Sequence, residues 1–295
     1  MIEIDRVSGI STALGEGPSW DAQRQVLWFI DIMGDQIHRL EEGGRLTTWE
    51  MPGSPAAALP ADDGSIVVVM EKGTRRLDPE RGTLSDLTPV PLHAEARFTE
   101  AKVDRCGRLV ALSSHVGFHA PVGSIMRWDR DGSVRKLDDG FVIGNGPTWS
   151  LDGETFYAAD SMRDTIWQYH DHDGHLSRRR AFYSTVSEEG FPDGATLDAD
   201  GCLWVVLHRS PWIVRLRPDG REDRRIQMPS PHISSLAFGG SGLAELFVTS
   251  LDPARIPGLP SDARAGRGDA CGYLYRVTGL GVTGVPEIPA QVTKD

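Results

Sequence analysis

Cysteine is scarce in this chain. Cys106, Cys202 and Cys271 stand 96 and 69 residues apart, with no C-x-x-C pair. An odd count at such spacing argues against a disulfide framework or a zinc knuckle and fits reduced thiols, so a cytoplasmic protein is expected. Basic residues are also few. There are 31 Lys and Arg against 42 Asp and Glu, a formal charge of −11. A surplus of that sign argues against nucleic acid or an anionic membrane as the main partner. No apolar run approaches the ~20 residues needed to span a bilayer. The opening MIEIDRVSGI has neither the basic lead nor the apolar stretch of a secretory signal.

Turn-forming residues are plentiful, with 33 Gly and 19 Pro in 295 residues. They disfavour long helices and favour many short strands. They also fall into a repeat. GPSWDAQRQVLWFID starts at Gly17, AAALPADDGSIVVVME at Ala56, AKVDRCGRLVALSS at Ala101, GPTWSLDGETFYAAD at Gly146, GATLDADGCLWVVLH at Gly194 and SLAFGGSGLAELFVTS at Ser235. Successive starts lie 39 to 48 residues apart. Each copy reads as a strand, a D-x-x-G-like turn, an apolar second strand such as VLWFI or CLWVV, and an alternating third strand such as QIHRL or TIWQY. Several copies continue through a second glycine turn into a fourth strand. Four short antiparallel strands per repeat describe a propeller blade, and six repeats describe an all-β, six-bladed propeller. No linker interrupts the repeats, so residues 1–295 are expected to form one domain. The last copy lacks a fourth strand, and an N-terminal strand over 2–8 is expected to supply it.

Aligning the copies places Glu16, Pro55, Thr99, Asn145, Asp193 and Ser234 at one position of the inner strands, in a ring around the central channel. Glu16, Asn145 and Asp193 are oxygen donors suited to a hard divalent cation. Two carboxylates brought together at a channel mouth repel, and a cation relieves that repulsion. Acids and amides also occupy propeller loops without any ligand, and the repeat alone does not separate the two readings.

The motifs at these positions resemble those of the SMP-30/gluconolactonase/regucalcin family. The likeness runs through GEGPSWD, RFTEAKVDRCGR, GNGPTWSLDGETFYAADS, GFPDGATLDADGCLWVV and LAFGGSGLAELFVTS, nearly the whole chain. The resemblance implies a metal-dependent lactonase with one divalent cation held by Glu16, Asn145 and Asp193. Oxygen-only ligands put Ca²⁺ first, with Zn²⁺, Mn²⁺ or Mg²⁺ as alternatives. It also implies that Asp193 takes a proton from water as the lactone opens; the other bases open to the reaction are water activated by the cation or a nearby histidine.

The third blade departs from the family's R-x-N-D-G-K. This chain has Arg97-Phe98-Thr99-Glu100-Ala101-Lys102, so Arg97, Thr99 and Glu100 stand where the resemblance puts substrate contacts. Thr99 lacks the two-donor reach of an amide, and the hydrogen-bond pattern towards a sugar must differ. His115 and His119, on an expected loop near the mouth, are further substrate candidates, with His208 and His232 behind them. His170–His175 aligns with outer hairpins and reads as a solvated turn. The G-x-G-x-x-G match at Gly279–Gly284 has no helix to follow and is dismissed. The expected activity is opening of a sugar-type or related lactone. The alternatives are a phosphotriesterase-like or other ester hydrolase on the same scaffold, or a non-enzymatic calcium-binding propeller. The expected partner is a small molecule, and the chain is expected to be a monomer or weak homo-oligomer.

Overall fold

The computed structural model describes residues 1–7, 9–185, 190–257 and 270–292. Among them the regular structure is almost wholly strand, arranged as six antiparallel sheets of the all-β propeller type. The inner strands are Gly15–Asp21, Pro55–Pro60, Ala96–Val103, Gly144–Trp149, Phe191–Leu197 and Ile233–Gly239, which define blades one to six. In blade two the outer edge is not one strand. It is broken into Thr83–Leu84 and Thr88–Pro89, both paired with Gly73–Asp78. No helix among the described residues is long and apolar enough to cross a membrane.

The turn between first and second strands is set by one acid in most blades. Asp21 accepts the backbone N–H groups of Gln23 and Arg24, Asp104 those of Cys106 and Arg108, and Asp198 those of Asp200 and Cys202. A carboxylate that satisfies the turn's own donors is why Asp recurs there. The second strands carry the largest buried side chains. Trp28 packs with Ala58 and Val68 of blade two, and Trp204 with Leu236 and Phe238 of blade six. Each indole removes on the order of 200 Å² from water, so these residues join neighbouring blades.

The last blade is completed from the other end of the chain. Glu3–Arg6 pairs antiparallel with Tyr275–Thr278, Glu3 opposite Thr278. Of the expected 2–8 strand, Ser8 lies outside the described residues.

After that strand the chain crosses the far end of the channel. Residues 283–291 bond to five blades in turn. Gly284 N donates to Leu243 O, Ala199 N to Thr283 O, Ser19 Oγ to Glu287, Ala290 N to Pro60 O and Gln291 N to Gly107 O, at 2.6–2.8 Å. Pro286 and Pro289 keep this strap extended without a donor to join a ladder. A cavity of about 250 Å³ lies between the strap and the inner strands, lined by Trp20, Lys102, Arg105, Trp149 and Glu287 among others. The glycine-rich run 279–284 belongs to this crossing.

Candidate functional site

All six ring positions lie at a break in register between the first and second strands of their blade. The shifts fall between Glu16 and Ser19, Pro55 and Ala57, Phe98 and Glu100, Asn145 and Thr148, Pro192 and Ala195, and Ile233 and Leu236. A bulge inserts unpaired residues and re-aims their side chains, which turns this level of the ring towards the axis. Glycine permits the close approach. Gly146 has φ +60°, and a Cβ there would stand 2.7 Å from the Asp193 carbonyl oxygen.

Three of the six positions are in mutual contact or under mutual charge. Asn145 Nδ2 donates to Asp193 Oδ1 at 2.6 Å and to Ser161 Oγ at 3.1 Å. Its amide hydrogens are thereby used, and its carbonyl oxygen accepts nothing from the described residues. Ser161 also donates to Pro192 O at 2.7 Å, pinning Asn145 to blade five. Glu16 is buried, and among the described residues its carboxylate accepts one hydrogen bond, from the Gly17 N–H at 3.1 Å. Burial first, then the charges of Asp193 and Glu100, holds the Glu16 carboxyl well above the ordinary range. Burial and the Glu100 charge do the same to Asp193.

Glu100 sits one residue past its ring position and points inwards. It is buried and accepts from Gly146 N at 2.6 Å and Ser235 Oγ at 3.3 Å, so it spans blades four and six. Burial raises its carboxyl too, with Lys102 opposing. Thr99, expected to face substrate, gives its hydroxyl to the Gly144 carbonyl of the next blade. Ser234 does the same to Gly15 and closes blade six onto blade one. These hydroxyls brace the ring, and neither joins the acidic cluster.

Arg97 lies at the rim. Its guanidinium is 3.6 Å from Glu71 and 5.7 Å from the centre of the Phe118 ring. His115 ends the strand Leu109–His115 and is buried, a correction to the loop expected for it. The Gly117 N–H donates to its Nδ1 at 2.8 Å, and its ring stands 4.0 Å from that of His119. The pair is structured by its own turn, with His119 Nδ1 3.1 Å from Gly117 O. His208 and His232 form a second ring pair, 6.1 Å apart. His170–His175 turns the outer hairpin of blade four.

Ser161 and Ser235 orient Asn145 and Glu100 and were not among the residues expected at the site. Both are small hydroxyls lacking any motif, and only Ser161's place directly after Asp160 marks a turn facing the ring.

His208 supports a prediction of its own. Burial, helped by His232 and Arg209 and opposed by its bond to the Ile233 carbonyl, pushes its pKa down to about 4. The unfolded chain binds this proton near the ordinary value of about 6.5 and the folded chain near 4. Stability is therefore complete above about pH 6.5 and declines as pH falls towards 4. Between pH 7.5 and 5 the loss from this residue is about 2 kcal/mol. Denaturant curves at the two pH values will show that decrement shrinking in His208→Gln; an unchanged decrement refutes it.

The described residues contain no three His, Cys, Asp or Glu side chains gathered as a ready metal site. The axial set is instead two carboxylates and an amide, with a third carboxylate below. Its chemistry suits a hard cation: oxygen donors, mutual repulsion, and no Lys or Arg paired with Glu16 or Asp193 among the described residues.

Fold and cluster together define a six-bladed propeller with its buried polar residues gathered at one end of the axis and the other end crossed by a strap. The chain belongs to the SMP-30/Gluconolactonase/LRE-like family, whose model matches residues 14–252. It is 30% identical to regucalcin of Danio rerio, with 97% of each chain covered. It is 29% identical to pentonolactonase XacC of Haloferax volcanii, with 98% of each covered. Among solved structures, a luciferin-regenerating enzyme superposes with TM-score 0.87 at 25% identity over the full length of both chains. A gluconolactonase from Xanthomonas campestris shares the fold with TM-score 0.75 at 20% identity, covering 94% of this chain and 89% of that one.

Proposed function

We propose that this chain is a divalent-cation-dependent lactonase, opening a sugar-type or related lactone to its hydroxy acid at the axial cluster. The observation that carries the reading is the convergence of Glu16, Asp193 and Glu100 as buried acids, with Asn145 bonded to Asp193. Buried like charges are unstable alone and fit a site built around a positive ion. The names of the pentonolactonase and gluconolactonase relatives support the same reaction class.

Glu16, Asn145 and Asp193 would hold the cation. When bound, it would supply polarisation of the lactone carbonyl and charge to offset the oxyanion that develops there. Asp193 is the residue for the proton. The family resemblance implies this role; because a bound cation would lower a carboxyl that ligates it, water activated by the cation or a nearby histidine is the alternative base. Asp193 accepts a proton from water as the water oxygen bonds to the carbonyl carbon. The ring C–O bond then breaks, and the same proton passes to the departing alkoxide, giving the hydroxy acid. Asn145 and Ser161 fix the orientation of the Asp193 carboxylate during these steps.

A pH-indicator screen of lactones against aryl phosphotriesters tests the class. The expected result is lactone turnover that falls at least tenfold after chelation and returns with Ca²⁺, Mn²⁺, Zn²⁺ or Mg²⁺. Calorimetric titration of the chelated protein with each ion is expected to show one site, lost in Glu16→Gln. Full turnover after chelation, with no heat of binding, would overturn the cation requirement. Tight binding without turnover of any ester would favour a calcium-binding propeller instead.

A further inference from the structure

We infer that the lactone opened here carries an apolar substituent and not a polyhydroxylated one, and that Phe118 is the residue that reads it. The inference rests on the lactonase reading and, of its sugar-type and related lactones, takes a related one and sets the sugar-type aside.

The wall of the third blade has few groups to offer hydroxyls. Thr99 is spent on the Gly144 carbonyl and Glu100 on Gly146 and Ser235. Arg97 stands 3.6 Å from Glu71 and 5.7 Å from the centre of the Phe118 ring, and with its Nε unpartnered among the described residues it is the one donor this wall keeps for a substrate. A site that recognises a polyol must pair each hydroxyl it desolvates, since an unpaired one is strongly disfavoured.

The rim is apolar where that wall is poor. In the first, third and fourth blades, strand register sets Gly15 opposite Asp31, Ala96 opposite His115 and Gly144 opposite Asp160. The turns that follow Asp31, His115 and Asp160 therefore stand at the same end as the acidic cluster. They expose Met33 (38%), Val116 (50%), Phe118 (41%) and Met162 (48%). Eight large apolar side chains are exposed among the described residues, and these four occupy the three turns. Scattered exposed apolar residues need no explanation, whereas a cluster around a mouth marks a binding surface.

Phe118 adds a second, separate sign. Its φ is +58°, the left-handed region, where a bulky side chain is a true outlier. The turns of blades one and four have their left-handed residue one position further on and use aspartates, Asp35 and Asp164, which tolerate it better. Phenylalanine is held in this strain by its N–H bond to the His115 carbonyl at 3.0 Å, with its ring still partly in solvent. Strain retained beside a site points to function.

The test compares kcat/KM for five-membered lactones bearing either a butyl group or hydroxyls. Each methylene buried on the rim is expected to raise the value about fourfold, so the butyl lactone should lead by tenfold or more. Phe118→Ser should cut the butyl-to-hydroxyl ratio about tenfold, chiefly through KM, and Phe118→Leu should keep most of it. Met162→Ser, on the turn of the neighbouring fourth blade, should lower the ratio independently of any strain at 118. A hydroxylated lactone that matches or beats the butyl one overturns the inference while leaving the lactonase reading intact. A ratio unmoved by Phe118→Ser overturns the role of Phe118. Failure to open any lactone overturns both readings together.

Discussion

Asp193→Ala is expected to lower kcat/KM for lactone opening by about 10²–10⁴-fold, the range associated with removing a positioned acid–base group. Full turnover in this variant would sink the assignment. A simple loss of activity would also follow from misfolding, so stability supplies the second readout. Burial raises the carboxyl groups of all three acids, and the charges of Asp193 and Glu100 add to it at Glu16, that of Glu100 at Asp193. In the cation-free protein the folded state therefore keeps protons that the unfolded chain releases. The sign follows directly: stability falls as pH rises beyond the ordinary carboxylate range. Asp193→Asn removes one repelling charge and keeps the shape. Its cation-free thermal midpoint at neutral pH should rise above that of the parent even as its activity falls. Added cation should erase the difference or reverse it. A residue with a purely structural role would lower activity and stability together.

The largest stability effect is expected at Asp198, far from the cluster. Asp198 is fully buried and accepts from Cys202 N at 2.9 Å, Asp200 N at 3.0 Å, Trp204 Nε1 at 2.7 Å and Arg215 Nε at 2.7 Å. One carboxylate thus sets a turn, satisfies an indole at a blade interface and neutralises a buried guanidinium. Arg215 would retain Asp200 and Asp223, but their side chains are more exposed. Asp198→Ala leaves the indole and two turn N–H groups unpaired and weakens the compensation of Arg215. Breaking such a buried pair from one side costs about 3–5 kcal/mol, a large share of the ~5–15 kcal/mol that typically holds a domain folded. The guanidinium midpoint should fall steeply with little change in slope. A loss under about 1 kcal/mol would show the network to be dispensable.

The blades were legible because their signals are local and repeated. The turn acids Asp21, Asp104 and Asp198 and the second-strand tryptophans Trp28 and Trp204 each mark one place in the repeat. The level of Glu16, Asn145 and Asp193 was legible for the same reason. Which neighbour turns inwards was not. In blade three the bulge between Phe98 and Glu100 sends Thr99 to a backbone carbonyl and Glu100 into the channel. A one-residue slip reverses faces, and residue types alone do not reveal it. Ser161 and Phe118 were hidden because they lie in turns with no periodicity. The strap carries neither strand alternation nor helical spacing, so its path across five blades could not be read either.

The pairing that completes the last blade also has a kinetic consequence. Thr12 bonds to the carbonyl of Gly272 across 260 residues of sequence, and Ser19 to Glu287 across 268. Contacts of such separation are among the slowest to form, because the whole intervening chain must be organised first. During synthesis the first five blades can assemble in order, but the sixth must wait for the chain's other end to emerge. Until then the strand Glu3–Arg6 waits without its partner Tyr275–Thr278 and presents an unpaired edge to any neighbour. The hazard in making this protein is therefore a strand borrowed from a second copy, a domain-swapped dimer formed before each ring has closed on itself.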